Sequence, residues 1–282
     1  MSKYFNETQK LASLTAQKSG AHALDVQNVL DVVGRPEEVA RSFADTRLER
    51  CKVHALNHNT EGPLIFGRSD ACREALESYR ALRTRLLRIL NKNGLRSVAV
   101  TSAAPGEGKT LSSANLAVCC AQLQDYRVLV VDGDLRTRGL TLLLGVPQER
   151  GLSEMLHARC DFPDPIMATD IPNLFVLGAG SDLEPPPELL AGARWKEFMN
   201  WCSETFKLVI VDTPPLTPLA DTDLILHGCD GALFVVRARK TSRDIVKKAA
   251  MHIDEKKLLG VIFNAADSHA KDEYRKYYGK SA

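Results

Sequence analysis

The chain has 282 residues, 44% hydrophobic and 26% charged, with a net charge of +2 at pH 7. That length buries one sizeable core and leaves material for a small extra segment. The balanced charge gives no general reason to expect nucleic acid as a partner, and no apolar run is long enough to span a bilayer. The seven cysteines, odd in number and scattered, read as reduced thiols rather than a disulfide frame.

Residues 1–62 read as an N-terminal extension of unassigned role. They begin without the apolar core of a signal peptide. Leu24, Val26, Val29, Leu30, Val32 and Val33 suit a short helix stopped at Gly34, and Pro36-Glu37-Glu38 suits the opening of another. Cys51, His54 and His58 have ligand-like spacing but no fourth ligand nearby, so a solvated linker is the better reading than a zinc site. Thr60-Glu61-Gly62-Pro63 reads as a boundary.

A helix begins at Ser69-Asp70, with Leu76, Tyr79, Leu82, Leu86 and Leu90 on one face and Asn93-Gly94 as its stop. Beside that face run Glu77, Arg80 and Arg83, by spacing alone a solvated flank with i,i+3 ion pairs.

Ser97 to Thr110 is the informative stretch. A β-branched apolar run leads into Ala103-Ala104-Pro105-Gly106-Glu107-Gly108-Lys109-Thr110, and Leu111 opens an apolar helix. Strand, glycine loop, Lys-Thr and helix form a phosphate cradle, in which backbone N–H groups and the helix N-terminus face the anion. Lys109 reaches the β- and γ-phosphates and the Thr110 hydroxyl ligates Mg²⁺ in this arrangement. Ala103 stands where the loop's first glycine is usual.

Arg127 to Asp132, followed by Asp134, and Lys207 to Asp212 are apolar strands tipped by carboxylates. Gly151 to Leu156 suits a short helix, Asn173 to Gly178 a strand, and the stretch after Pro185-Pro186-Pro187 an amphipathic helix through Trp195, Phe198 and Trp201. Gly231–Arg237 and Leu258–Asn264 complete the strands, with a helix over 241–252 between them. The alternation predicts an α/β fold, a doubly wound and mainly parallel sheet of the P-loop NTPase kind, over 63–268. Residues 269–282 read as a mobile tail holding three of the six tyrosines: Tyr274, Tyr277 and Tyr278.

Together these pieces predict a magnesium–triphosphate site. Asp212 holds the metal directly or through water. Asp132 and Asp134 position the metal and take the proton of an incoming hydroxyl, with Asp132 the chosen base. Asn264-Ala265-Ala266-Asp267 lacks the lysine of a guanine-reading motif, which favours ATP and makes Asn264 a candidate adenine contact, a strand-end turn being the alternative. Phenols on a polar tail suggest phosphoryl acceptors.

From Ser69 to Ala282 the chain resembles the bacterial tyrosine kinases that autophosphorylate and control capsule or exopolysaccharide production. The motifs are Ala103 to Thr110 as Walker A, Val130 to Arg136 as Walker A′, Val209 to Pro215 as Walker B, and the terminal tyrosines as the acceptor cluster. The resemblance implies Mg–ATP bound by residues 105–111 and a Thr110, Asp134 and Asp212 metal site. Lys109, Asp132, Asp134 and Asp212 are then the catalytic set. Glu77, Arg80 and Arg83 match the family's ring-assembly motif. It further implies a homo-oligomeric ring in which each tail enters a neighbour's site, a membrane-embedded polysaccharide co-polymerase or adaptor as activator, a tyrosine phosphatase, and a cytoplasmic location at the inner membrane face. Two alternatives stand beside it: a ParA/MinD-like ATPase switch, disfavoured because Ala104 replaces that group's second lysine, and a non-catalytic nucleotide-binding subunit of a polysaccharide assembly.

Overall fold

The computed structural model describes residues 48, 51–56, 73–181, 187–216 and 220–266, all within the unit Asp45–Ala282. The three tail tyrosines, His58 and Asp267 lie outside the described residues, as do the expected helices before Pro36 and after it.

The elements run β1 (Lys52–His54), α1 (Arg73–Asn93), β2 (Ser97–Ser102), α2 (Lys109–Ala121), β3 (Val128–Asp132), α3 (Gly139–Leu144), α4 (Leu152–Leu156), β4 (Ile166–Thr169), β5 (Leu174–Leu177), α5 (Glu188–Ala191), α6 (Ala193–Thr205), β6 (Leu208–Asp212), α7 (Ala220–Gly228), β7 (Gly231–Arg237), α8 (Arg243–Ala250) and β8 (Leu258–Asn264). They build one eight-stranded sheet in the order β1-β4-β5-β3-β6-β2-β7-β8. Every neighbouring pair is parallel except β4 with β5. This is the doubly wound, mainly parallel sheet that the alternation of strands and helices predicts.

Alternation along each central strand divides the core between two faces. Val98, Val100, Val128, Val130, Leu208 and Ile210 pack on one side with Leu86 and Leu90 of α1, Leu116 of α2 and Leu140 of α3. Ala99, Leu129, Val131, Val209 and Val211 pack on the other with Leu152 of α4, Phe198 of α6, Ile225 of α7 and Ala249 of α8. Strands covered on both faces read as continuous apolar runs, which is why β2, β3 and β6 stand out in the sequence.

The linker reading of 51–54 gives way to an edge strand. β1 pairs in parallel with β4, and Asp170 braces it by donating its N–H to His54 O at 3.3 Å and accepting from Leu56 N at 3.1 Å. Leu48 and Leu56, 8% and 3% exposed, enter opposite core faces. His54 Nε2 lies 3.3 Å from Leu144 O and Cys51 packs against the core, so neither is arranged as a metal ligand.

Helix α1 carries its predicted apolar face: Leu86 and Leu90 are buried, and Tyr79 and Leu82 pack on the same cluster. It stops where expected, with Gly94 at φ +67° and Leu95 N bonded to Leu90 O at 3.0 Å.

Candidate active site

Parallel strands β2, β3 and β6 lie side by side, so the loops leaving their C-terminal ends meet at one edge, the position where open α/β sheets bind ligands. The register sets Asp132 directly opposite Asp212, and Val100 opposite Asp212 on the other side. Three stretches far apart in the chain are thus brought together.

The loop between β2 and α2 needs its glycines. Gly106 and Gly108 have φ of +75° and +92°, and a Cβ at 108 would stand 2.1 Å from Asn264 Nδ2. Ala103, where a glycine is usual, is 2% exposed and part of the core, so a methyl is accommodated there. Lys109 opens α2 and points at the acids: its Nζ is 3.7 Å from Asp134 Oδ2. The Thr110 side chain faces the turn after β3, within 3.3 Å of the position a Cβ would take on Gly139.

Asp132 is enclosed. Its Oδ2 accepts from Thr141 N at 2.7 Å and Thr141 Oγ1 at 2.6 Å, and its Oδ1 accepts from Asp134 N at 3.2 Å. Burial pushes its carboxyl up to about 6, against the pull of the Thr141 hydrogen bonds. Gly133 separates the two acids for a packing reason: its N–H bonds Asp212 O at 2.8 Å, and a Cβ there would lie 2.7 Å from that oxygen. Asp134, 2% exposed, accepts from Thr137 N at 3.1 Å through Oδ1 and leaves Oδ2 toward Lys109.

Asp212 is wholly buried. Its Oδ1 accepts from Ser113 Oγ at 3.2 Å, while its Oδ2 is buried without a hydrogen-bond partner. Burial pushes the carboxyl up to about 7; Lys109 and the Thr110 hydroxyl oppose this, and Asp132 and Asp134 add to it by repulsion. An orphaned carboxylate oxygen is costly in a core, and it is the atom a divalent cation or its bound water would satisfy. Among the described residues no three His, Cys, Asp or Glu side chains close into a metal cage. Mg²⁺ binds through one or two carboxylates plus substrate phosphates and water, a donor set that Asp134 and Asp212 beside the phosphate loop can supply.

The sequence-predicted residues fall into three groups. Lys109, Thr110, Asp132, Asp134 and Asp212 gather at the sheet edge with the loop 105–108 and Leu111. Asn264 also reaches the loop: its amide Nδ2 donates to Glu107 O at 2.8 Å, a tie across to the phosphate loop, while its Oδ1 accepts from Ala265 N at 2.9 Å within the strand-end turn. Glu77, Arg80 and Arg83 lie on α1: Arg80 pairs with Glu77 in the open, while Arg83 Nη1 donates to Cys119 O at 2.7 Å. Sequence reasoning missed Thr141 and Ser113, and gave Gly133 and Arg136 no role beyond membership of the Walker A′ run; Arg136 Nε bonds Asp221 at 3.0 Å. For Ser113 a signal existed, since it stands one turn beyond Lys109 in the apolar helix.

Residues 98–280 match the CobQ/CobB/MinD/ParA nucleotide binding domain. The tyrosine-protein kinase YwqD of Bacillus subtilis (strain 168) is 34% identical over 205 residues, covering 72% of this chain and 86% of that protein. Among solved structures, the chimerical protein CapA2B2 superposes with a TM-score of 0.66 at 29% identity, covering 83% of this chain and all of that one. The kinase domain of the Escherichia coli tyrosine kinase ETK superposes with a TM-score of 0.63 at 29% identity, over 69% and 78% of the two chains.

Proposed function

Because the chain belongs to the CobQ/CobB/MinD/ParA nucleotide-binding domain family and, within it, to the bacterial tyrosine kinases, we propose that it transfers the γ-phosphoryl group of ATP to its own C-terminal tyrosines. In this reading the acceptors Tyr274, Tyr277 and Tyr278 of one copy enter the site of another within a ring, and the activity regulates capsule or exopolysaccharide synthesis at the inner membrane face. A membrane-embedded polysaccharide co-polymerase or adaptor would activate the kinase, and a tyrosine phosphatase would reverse it. The observation that carries the proposal is the meeting of Lys109, Asp134 and the unpartnered Asp212 oxygen beside the phosphate loop.

The loop N–H groups and Lys109 bind and orient the triphosphate. Thr110, Asp134 and Asp212 are the residues that would hold Mg²⁺, which when bound neutralises charge on the β- and γ-phosphates. A tyrosine oxygen attacks the γ-phosphorus and the bond to the β-phosphate oxygen breaks, leaving ADP. In this reading the phenol proton passes to Asp132 once acceptor entry uncovers it, since its carboxyl is wholly buried and held by Thr141 and the Asp134 N–H; burial has raised its basicity toward neutrality.

The test is incubation of the full chain with labelled ATP and Mg²⁺. Label on tyrosine supports the kinase, free phosphate alone supports a ParA/MinD-like switch, and neither supports a non-catalytic nucleotide-binding subunit.

A further inference from the structure

Glu107 sits at the crown of the phosphate loop with its side chain completely buried. A buried carboxylate persists only where donors meet it, and here they come from two places. Oε2 accepts from Ala104 N at 2.9 Å, closing the start of the loop on itself. Oε1 accepts from Thr241 Oγ1 at 2.6 Å, across to the turn between β7 and α8.

The same side of the loop is held at three further points. Gly106 O accepts from Arg237 Nη1 at 3.1 Å and Lys240 Nζ at 3.4 Å, and Glu107 O accepts from Asn264 Nδ2 at 2.8 Å. In a trans peptide the C=O and the following N–H point in opposite directions. Carbonyls of 106 and 107 fixed toward 237–264 therefore set the N–H groups of Glu107 and Gly108 toward the other side, where an anion is cradled.

We propose that Glu107 is a positioning residue: through Thr241 it locks the phosphate loop in its anion-ready shape before nucleotide arrives, and so sets nucleotide affinity. The proposal rests on the loop being the nucleotide cradle, and it deepens that reading. A loop ordered in advance does not spend binding energy on its own ordering. With the strut cut, the nucleotide must order the loop itself.

The test is the affinity of the full-length chain for a fluorescent ADP analogue with Mg²⁺, a readout independent of phosphoryl transfer. Glu107→Ala should weaken binding about ten-fold, and Glu107→Gln should restore it to within about two-fold, since an amide accepts from Ala104 N and donates to Thr241 Oγ1. Thr241→Val, which cuts the strut while leaving the loop's own residues unchanged, should raise the dissociation constant several-fold, and in the kinase assay raise KM for ATP while leaving kcat unchanged. Thr241→Ser should reverse both effects. Should Glu107→Ala fail to fold, the two Thr241 variants decide. Unchanged affinity in Thr241→Val, or a fall in kcat with KM unaltered, overturns the proposal. A wild-type chain that binds the analogue but never labels tyrosine defeats the kinase assignment and leaves this test standing.

Discussion

Lys109 Nζ stands 3.7 Å from Asp134 Oδ2, the two side chains 12% and 3% exposed. The loop lysine thus pairs with one of the acids proposed to hold the metal, which puts its ammonium where triphosphate and metal would meet. Lys109→Met removes that cation. Tyrosine phosphorylation should fall more than about 100-fold, as measured by mass-spectrometric phosphotyrosine counting on chains matched for circular dichroism.

A second prediction concerns pH. Burial pushes Asp212 up to about 7 and Asp132 up to about 6, from an ordinary value of 3.8. The folded state therefore binds more protons than the unfolded state between roughly pH 4 and 7. These two groups contribute stability that is full below about 3.8 and lost as pH rises through 6 and 7. Metal binding runs the other way, because it needs the ionised carboxylate. The rise in melting temperature on adding Mg–ADP should grow from pH 6 to pH 8, and Asp212→Asn should flatten that growth. An equal rise at both pH values would show that Asp212 does not titrate against the metal.

The sheet was legible where burial on both faces wrote itself as an unbroken apolar run, as in Val128-Leu129-Val130-Val131. It was illegible at Lys52-Val53-His54, where Val53 is 73% exposed and the strand exists only because β4 offers an edge. Helix α7 escaped notice because its acids, Asp221 and Asp223, crowd its first turn and leave little amphipathic pattern. At the site, spacing alone picked out the residues that gather at the sheet edge, since loop, lysine and strand-tip acids are local signals. The supporting contacts were out of reach: Glu107 and Thr241 are 134 positions apart, and only the crossing from β7 into α8 brings them together.

Arg80 and Arg83 share a sequence stripe but not an environment. Arg80 is paired with Glu77 in solvent, whereas Arg83 bonds a main-chain carbonyl, Cys119 O, inside its own chain. If the stripe is a ring contact, Arg80→Ala should yield smaller particles on light scattering with little change in melting temperature, as exposed pairs contribute little. Arg83→Ala should shrink the particles and also destabilise the chain by about 1 kcal/mol, because a carbonyl loses its charged donor. Unchanged mass in both variants would make the stripe a solvated flank.

The tail tyrosines are predicted acceptors on sequence grounds alone. Tyr274, Tyr277 and Tyr278 changed together to Phe should remove most phosphotyrosine while ATP turnover machinery stays intact. Mixing that triple variant as enzyme with Lys109→Met chains as substrate separates transfer between copies from transfer within one. Phosphate on the Lys109→Met tail supports transfer in trans; phosphate mapping to the first 60 residues would remove the tail from the scheme.

The segment around β1 bears on where the sheet's own edge begins in the chain. Leu48 and Leu56 are buried on opposite faces, and the strand between them pairs with β4. Burial of leucines at this level makes Leu→Ala cost about 2–5 kcal/mol each. A chain beginning at Asp45 keeps both leucines and the strand; one beginning at residue 57 loses all three and exposes β4 as a new sheet edge, with unpaired N–H and C=O groups open to other chains. The longer chain should melt several degrees above the shorter one, and the shorter should aggregate on concentration, as read by calorimetry and light scattering. Leu56→Ala in the full chain isolates the packing component, because it empties one core position while leaving the β1–β4 hydrogen bonds in place. If its melting temperature matches wild type, the segment 51–56 lies on the sheet without supporting it.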